Sequence, residues 1–356
     1  MDHKDITRWL REEDPQVLTE LWSRADRVRQ ENVGGQVHLR GLIEIGNHCV
    51  RRCGYCGLSA GRNGLQRYRM SRQEILGCVA EAVEYGYGTV VIQAGEDPFW
   101  TSEFIGDLVA EIKSTTSLAV TLSLGERGDE ELLAWRSAGA DRYLLRFETS
   151  NRRLFDRIHP PLGDQPCDRL AMLSRMKDMG YEIGSGVMVG IPAQTYEDLA
   201  RDVETFARLD LDMIGLGPFI PHPDTPLGAE ESAGGDQAPA TEELTYRVMA
   251  LARIVCPRAN VPSTSALATL NLAEGRELGL VRGANVVMPN LTPQQYRPMY
   301  EIYPAKACIR ETAQQCRSCM RNRIESLGRT VGDGAGASPN YIARRKQHTG
   351  DAKCVH

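Results

Sequence analysis

Short apolar runs rich in Val, Ile and Leu alternate with amphipathic segments along most of the chain. A helix is predicted to begin at Ser71, where Glu74 completes a capping box. Strands that alternate with helices predict an α/β fold built on a parallel sheet. The predicted strands cover residues 37–45, 88–93, 118–123, 142–145, 183–189 and 213–216, with weaker ones near Val261 and at 285–288.

Eight strand–helix units in succession favour a closed (β/α)8 barrel of the TIM type over an open doubly wound sheet. No G-x-G-x-x-G follows the first strand to support a dinucleotide-binding open sheet. Leu10, Leu18 and Leu21 recur at helical spacing and predict an N-terminal helical cap. The predicted divisions are a cap over 1–32, a barrel over 33–305, an auxiliary cysteine segment over 306–327 and a flexible tail over 328–356.

Composition limits the classes of function. The chain has 356 residues, 25% of them charged, and a formal net charge of -5, which gives no reason to expect nucleic acid as a partner. No apolar run approaches the length of a membrane span, so no membrane partner is expected. The N-terminus lacks the apolar core of a signal peptide. Since most of the ten cysteines fall into two metal-like groups, a reducing cytoplasm is the expected compartment.

Three cysteines form the most informative motif: Cys49, Cys53 and Cys56 have the spacing C-x3-C-x2-C. Three thiolates on one short loop suit three irons of a [4Fe-4S] cluster and leave the fourth iron open, whereas electron-transfer clusters ordinarily take four cysteines. A structural zinc site, which needs four ligands, is one alternative, with His48 as a neighbouring donor. Buried core thiols are the other, although the intervening arginines favour an exposed loop.

The cysteine loop directly follows the first predicted strand. In a (β/α)8 barrel, the loops after the carboxyl ends of the strands meet at one mouth, where chemistry takes place. We therefore expect the cysteine loop to share that mouth with the segments at 95–98, 123–126, 146–149, 190–194 and 217–222.

The cysteine motif, with Tyr55 before its last cysteine, resembles that of the radical S-adenosylmethionine (SAM) superfamily. The segment 95–98, Gly-Glu-Asp-Pro, is similar to the superfamily's Gly-Gly-Glu-Pro, which contacts the methionine amino group. The run 215–226, which ends in Pro-His-Pro-Asp-Thr-Pro, resembles one branch in particular, the [FeFe]-hydrogenase maturase family HydE. This resemblance extends over most of residues 30–330. Methylornithine synthase and biotin synthase are the related families.

The resemblance implies a [4Fe-4S] cluster and SAM as cofactors, with reductive cleavage of SAM to methionine and a 5′-deoxyadenosyl radical. It implies no acid–base catalyst. The implied partners are a small-molecule or organometallic substrate (an iron–carbonyl–cyanide–cysteine precursor), an external electron donor and other hydrogenase maturases. A salt bridge at the barrel top is the alternative role for each charged residue of the site. The implied SAM-binding residues are Tyr55, Gly95, Glu96, Ser123, Glu148 and Arg169.

The resemblance also implies a substrate cavity inside the barrel. Polar side chains that point inward need polar partners, and a bound substrate is one such partner. For the arginine of this set, an internal salt bridge is the alternative. Two positions depart from the family pattern: Phe147 stands where a histidine is frequent, and Ser265 where a second threonine is common. The implied cavity residues are Thr121, Arg142, Thr264 and Tyr300.

A second trio, Cys308, Cys316 and Cys319, has the spacing C-x7-C-x2-C. The resemblance implies an auxiliary cluster here, [2Fe-2S] or partial [4Fe-4S], that some family members lack. A zinc site completed by a neighbour or a set of unused thiols is the alternative.

Two other functions compete with hydrogenase maturation. One is a radical SAM mutase acting on a small amino acid, as methylornithine synthase does, in which Arg142 would hold the substrate carboxylate. The other is a non-catalytic iron–sulfur carrier, which would never consume SAM. A complete barrel with a SAM-like pocket argues against the carrier.

Overall fold

Eight parallel strands form the centre of the fold. The computed structural model describes residues 1–163, 167–230, 234–307 and 309–351. All strand pairs are parallel, and seven strands lie in the order β6-β5-β4-β3-β2-β1-β7, with β8 also paired to β1. The strands are β1 Gln36–Gly46, β2 Thr89–Ala94, β3 Ala119–Ser123, β4 Arg142–Leu144, β5 Glu182–Val189, β6 Met213–Pro218, β7 Val286–Val287 and β8 Thr330–Val331.

A short extended segment at 260–262 closes the gap between β6 and β7. It bridges to β6 through Asn260 and Met213, and to β7 through Pro262 and Val286. Strands β1 to β7 and this segment therefore form a closed ring of eight parallel segments, which confirms the predicted (β/α)8 barrel. The weak strand predicted near Val261 corresponds to this segment, although it makes too few bridges to its neighbours to form a regular strand.

Thirteen α-helices are present among the described residues, and most of them surround the barrel. The capping box at the start of α3 is confirmed, because Glu74 N donates to Ser71 Oγ and Ser71 N donates to a Glu74 carboxylate oxygen. The helices are α1 His3–Arg11, α2 Pro15–Val33, α3 Arg72–Glu84, α4 Ser102–Thr115, α5 Asp129–Ser137, α6 Arg152–Ile158, α7 Arg169–Asp178, α8 Tyr196–Leu209, α9 Glu242–Val255, α10 Ser265–Leu270, α11 Gly275–Leu280, α12 Ala313–Ser326 and α13 Pro339–Asp351.

The two N-terminal helices pack on the outer layer of the barrel. Helix α1 contacts α8 and α9, and α2 contacts α9. Their apolar residues Leu10, Leu21 and Ala25 are buried in the main core, as helical spacing of these positions predicts. None of the described helices is long and apolar enough to cross a membrane.

The C-terminal segment corrects the expectation of a flexible tail. Strand β8 pairs with the start of β1, and the loop that follows covers the amino-terminal end of the barrel. There the Ala335 carbonyl accepts hydrogen bonds from Thr89 and Arg142, and the Ser338 amide donates to Glu182. The described part of the segment therefore closes the barrel floor, and the mouth at the opposite end stays open for the cysteine loop.

Candidate active site

The loop between β1 and α3 carries the first cysteine trio and is fixed by backbone hydrogen bonds to distant parts of the chain. The Gly54 amide donates to the Ile158 carbonyl (2.9 Å), and the Gly57 amide donates to the Ile302 carbonyl (3.0 Å). A Cβ atom at Gly57 would lie 2.1 Å from the Glu301 carbonyl oxygen, so only glycine allows this close approach. These contacts hold the loop against two distant parts of the chain.

The three thiols of this loop fit an iron–sulfur cluster better than a single metal ion. Burial raises the pKa of all three thiols, to about 12 for Cys56. The Cys49 charge raises the pKa of Cys53 and Cys56 further, and the Cys56 charge raises that of Cys53. Such crowded thiolates require a cationic partner. Among the described residues, only Glu126, His159 and Cys167 place three ligand atoms within 4.8 Å of one another. The three thiol sulfurs of the trio therefore do not all lie within 4.8 Å of one another. A cluster with several irons requires such a wider separation.

Gly95 and Glu96 lie against the cysteine loop. They do not line the cavity that opens next to this loop at the barrel mouth. A Cβ atom at Gly95 would lie 2.2 Å from the His48 carbonyl oxygen, which explains the glycine. The Glu96 carboxylate accepts hydrogen bonds from Arg51 Nε (2.6 Å) and from the Glu126 amide (2.9 Å). In this structure the pair supports the loop, and its role in SAM binding stays a prediction.

A cavity of about 280 Å³ opens at the barrel mouth beside the cysteine loop. Its wall includes Cys56, one of the three cysteines of the first trio. It also brings together four of the six residues predicted to bind SAM, namely Tyr55, Ser123, Glu148 and Arg169.

Glu148, which lines this cavity, has a strained backbone conformation. Its φ of 60° lies in the left-handed region, which is rare for residues other than glycine. Arg146 Nη2 lies 3.1 Å from Glu148 Oε2, close enough for an ion pair. The groups are not aligned for a hydrogen bond, and Oε2 is buried without a partner among the described atoms. The carboxylate can therefore accept hydrogen bonds from a ligand.

Arg169 begins helix α7 and joins a network behind the cavity. Its Nε donates to Glu126 Oε1 (2.8 Å), and its Nη1 donates to the Arg146 carbonyl (2.6 Å). Although burial raises the pKa of Glu126, the Arg169 charge and hydrogen bonds to Cys167 and Arg169 lower it well below its usual value. The Glu126 carboxylate is therefore ionised. Its other oxygen, Oε2, accepts a hydrogen bond from Arg51.

A deeper cavity of about 150 Å³ lies below the first, inside the barrel. Gln93, Arg146 and Tyr303 line both cavities, so the two cavities are adjacent. Thr121 and Thr264 line the deeper one, and Thr121 Oγ1 is buried without a partner among the described atoms. Their contact with substrate stays a prediction. Tyr300 lies in the upper cavity, where its hydroxyl accepts a hydrogen bond from Gln93 (3.2 Å).

Arg142 lies at the barrel floor and lines neither of these two cavities. Its Nε donates to Glu182 Oε2 (2.6 Å), and both side chains are about 1% exposed. Its other nitrogens donate to Thr89 Oγ1 and to the Ala335 carbonyl. The structure therefore corrects the expectation that Arg142 contacts substrate, because the guanidinium is fully used in the alternative role of an internal salt bridge.

Sequence reasoning missed three charged residues of the deeper cavity, Arg40, Glu44 and Lys306. The signal was present in β1, because positions 40, 42 and 44 share one face of the strand and two of them are charged. A strand that faces a packed barrel core would carry branched apolar residues at these positions. Lys306 pairs with Glu44, and it gave no sequence signal because it lies on an irregular segment.

The two departures from the family pattern lie in different places. Phe147 is buried against Phe206, with ring centroids 5.7 Å apart, so it belongs to the packing between strands and helices. Ser265 lines the deeper cavity. Of the second trio, Cys316 and Cys319 lie three residues apart on α12, one buried and one exposed, and Cys308 lies outside the described residues.

Comparison with known proteins assigns the family. The model for the Radical SAM superfamily matches residues 43–206. The [FeFe] hydrogenase maturase subunit HydE of Thermotoga maritima is 46% identical over 312 residues, which cover 88% of this chain and 86% of that protein. The 3-methylornithine synthase of Methanosarcina acetivorans is 26% identical over 80% of this chain and 77% of its own length. The crystal structure of methylornithine synthase (PylB) has a TM-score of 0.79 at 23% identity, covering 93% of this chain and 94% of that one, and shows the shared fold.

A relative of this identity and coverage establishes membership. The chain therefore belongs to the radical SAM superfamily of enzymes and, within it, to the HydE family.

Proposed function

We propose that this enzyme cleaves SAM reductively at a [4Fe-4S] cluster held by Cys49, Cys53 and Cys56, and so matures the active-site cofactor of [FeFe]-hydrogenase. The observation that carries the proposal is the pair of adjacent cavities, one beside the cysteine loop and one deeper in the barrel. The bound cluster and SAM would supply a 5′-deoxyadenosyl radical. The upper cavity would hold SAM, and the deeper one the substrate.

The residues of the upper cavity are suited to SAM. Glu148 Oε2, which accepts no hydrogen bond from the described atoms, can accept hydrogen bonds from the amino group or the ribose hydroxyls of SAM. Tyr55 and Ser123 add hydroxyl groups to the wall. Tyr55 and Glu126 raise the pKa of the Arg169 guanidinium despite the opposing effect of burial, so Arg169 would be charged and able to pair with the methionine carboxylate of SAM.

The charges of the deeper cavity favour an anionic substrate. Three cations, Arg40, Arg146 and Lys306, face it, against one carboxylate, Glu44. Arg40 Nε is buried without a partner among the described atoms, and Nη1 lies 2.7 Å from Met213 Sδ, a weak acceptor. Burial lowers the pKa of Arg40 to about 9. An anionic group would satisfy this arginine, and the iron–carbonyl–cyanide–cysteine precursor could supply one.

We also propose an accessory iron–sulfur site at Cys308, Cys316 and Cys319. Cys316 and Cys319 share one face of α12, because residues three apart are neighbours on a helix surface. An external donor would deliver the electron for SAM cleavage, and the product would pass to other maturases of the same hydrogenase.

Replacing Arg40 or Lys306 with methionine should impair maturation selectively. Hydrogen bonds to charged groups contribute about 1.5–3 kcal/mol, so hydrogenase activated in a coupled in vitro assay should fall roughly ten- to a hundredfold. SAM cleavage without substrate, measured as 5′-deoxyadenosine, should stay within about twofold of the wild type. Arg72→Met, which removes a surface pair with Glu111, is the control and should change neither. Full maturation by Arg40→Met and Lys306→Met would refute an anionic substrate in this cavity.

A further inference from the structure

A buried histidine contacts one of the cluster cysteines. His159 follows helix α6, is 1% exposed, and places Nδ1 2.9 Å from Cys53 Sγ. Its other nitrogen, Nε2, lies 2.8 Å from Glu126 Oε1. Neither the cysteine motif nor the strand pattern pointed to this residue, because it reaches the loop from a helix more than a hundred residues away.

The imidazole is held on several sides. The Ile158 carbonyl, one residue earlier, accepts the Gly54 amide of the cysteine loop (2.9 Å), which fixes the end of α6 to that loop. The Phe155 ring packs at 5.1 Å between centroids. With Glu126 on its other edge, the ring has little freedom to turn Nδ1 away from Cys53.

The same contacts argue against a single metal ion at Glu126, His159 and Cys167. Arg51 donates to one Glu126 oxygen and Arg169 to the other. A cation placed there would face two guanidinium groups that already neutralise the carboxylate. The arrangement is therefore suited to orienting the imidazole and not to binding a further metal.

We propose that His159 is a positioning residue that donates a hydrogen bond from Nδ1 to the Cys53 thiolate and thereby raises the reduction potential of the bound cluster. The inference rests on the proposed function only in that Cys53 ligates the cluster. A thiolate on iron can only accept, so Nδ1 must carry the proton of the ring, and Nε2 then accepts from Arg169 Nη2, which lies 3.0 Å away. Hydrogen bonds to cluster sulfurs stabilise the extra electron of the reduced state and set the potential. No bond to His159 forms or breaks, and the electron comes from the external donor.

Three substitutions separate the hydrogen bond from the bulk of the ring. The Asn amide nitrogen reaches about the position of Nδ1, the Gln amide nitrogen reaches about that of Nε2, and Phe keeps only the volume. The midpoint potential is measured on anaerobically reconstituted full-length protein by EPR-monitored redox titration, together with iron content. Cys316→Ser/Cys319→Ser is the common background, so that an accessory site does not contribute to the signal.

His159→Gln and His159→Phe should lower the reduced-to-oxidised ratio at fixed potential about tenfold, a shift of about 59 mV for one electron. His159→Asn should stay within about twofold of the wild type. Equal potentials in the Asn and Gln variants would overturn the inference, and so would iron loss in all three, because a merely structural histidine gives that result. If the unsubstituted protein forms no cluster, the proposed function itself fails, which is a distinguishable outcome.

Discussion

Replacing Cys56 with alanine should reduce 5′-deoxyadenosine formation by at least about a hundredfold. Its thiol is one of three on a loop fixed by backbone hydrogen bonds, and it is the one that lines the upper cavity. Changes to residues that only support metal ligands already cost ten- to a hundredfold, so loss of a ligand should cost more. The measurement is product formation with dithionite and SAM, together with iron content after anaerobic reconstitution.

The matched control for this prediction is Cys256→Ala. Cys256 is also buried, and burial likewise raises the pKa of its thiol to about 12. It follows helix α9, away from the cysteine loop. We expect this variant to keep its iron and its product formation within about twofold of the wild type. Equal activity of the Cys56 and Cys256 variants would contradict the assignment of the trio as cluster ligands.

Removing one partner of the buried pair at the barrel floor should destabilise the fold strongly. Glu182→Leu would leave Arg142 without its carboxylate, and loss of one partner from such a pair costs about 3–5 kcal/mol. The Ser338 amide would also lose its acceptor, which is the contact that holds the floor segment to β5. The free energy of unfolding, measured by urea denaturation, should fall by about that amount.

The double variant Arg142→Met/Glu182→Leu separates a structural role from a substrate role. Replacing both charges with apolar side chains of similar size is often neutral or stabilising, so most of the lost stability should return. Maturation activity should return with it, since Arg142 lines neither described cavity. A stable double variant that cleaves SAM but cannot mature hydrogenase would show instead that Arg142 contacts substrate.

The barrel could be predicted because its strands and helices have strong periodic patterns. Predicted boundaries for β2, β3 and β5 agree with the observed strands within one residue. The extended segment at 260–262 was a weaker prediction, because so short a run of residues shows little hydrophobic periodicity. The Gly-rich, polar composition of the C-terminal segment is typical of loops and predicts a flexible tail. Nothing in the local sequence reveals that its backbone groups pair with Arg142 and Glu182 at the barrel floor.

The residues of the candidate site likewise divide into those that the sequence could place and those that it could not. Residues next to a strand end, such as Cys56, Ser123 and Glu148, could be placed at the mouth from topology alone. His159 could not, because only the packing of α6 against the cysteine loop brings it to Cys53. Arg142 shows the opposite case, since its strand position was predicted but its partner Glu182 comes from the neighbouring strand.

The central claim is that the first cysteine trio leaves one iron open for SAM. The most direct test is electron–nuclear double resonance of the reduced Cys316→Ser/Cys319→Ser protein with SAM labelled with 15N at its amino group. We predict a hyperfine coupling between the label and the cluster, which requires SAM to bind at an iron. A cluster signal that is unchanged by SAM and carries no 15N coupling would contradict the account.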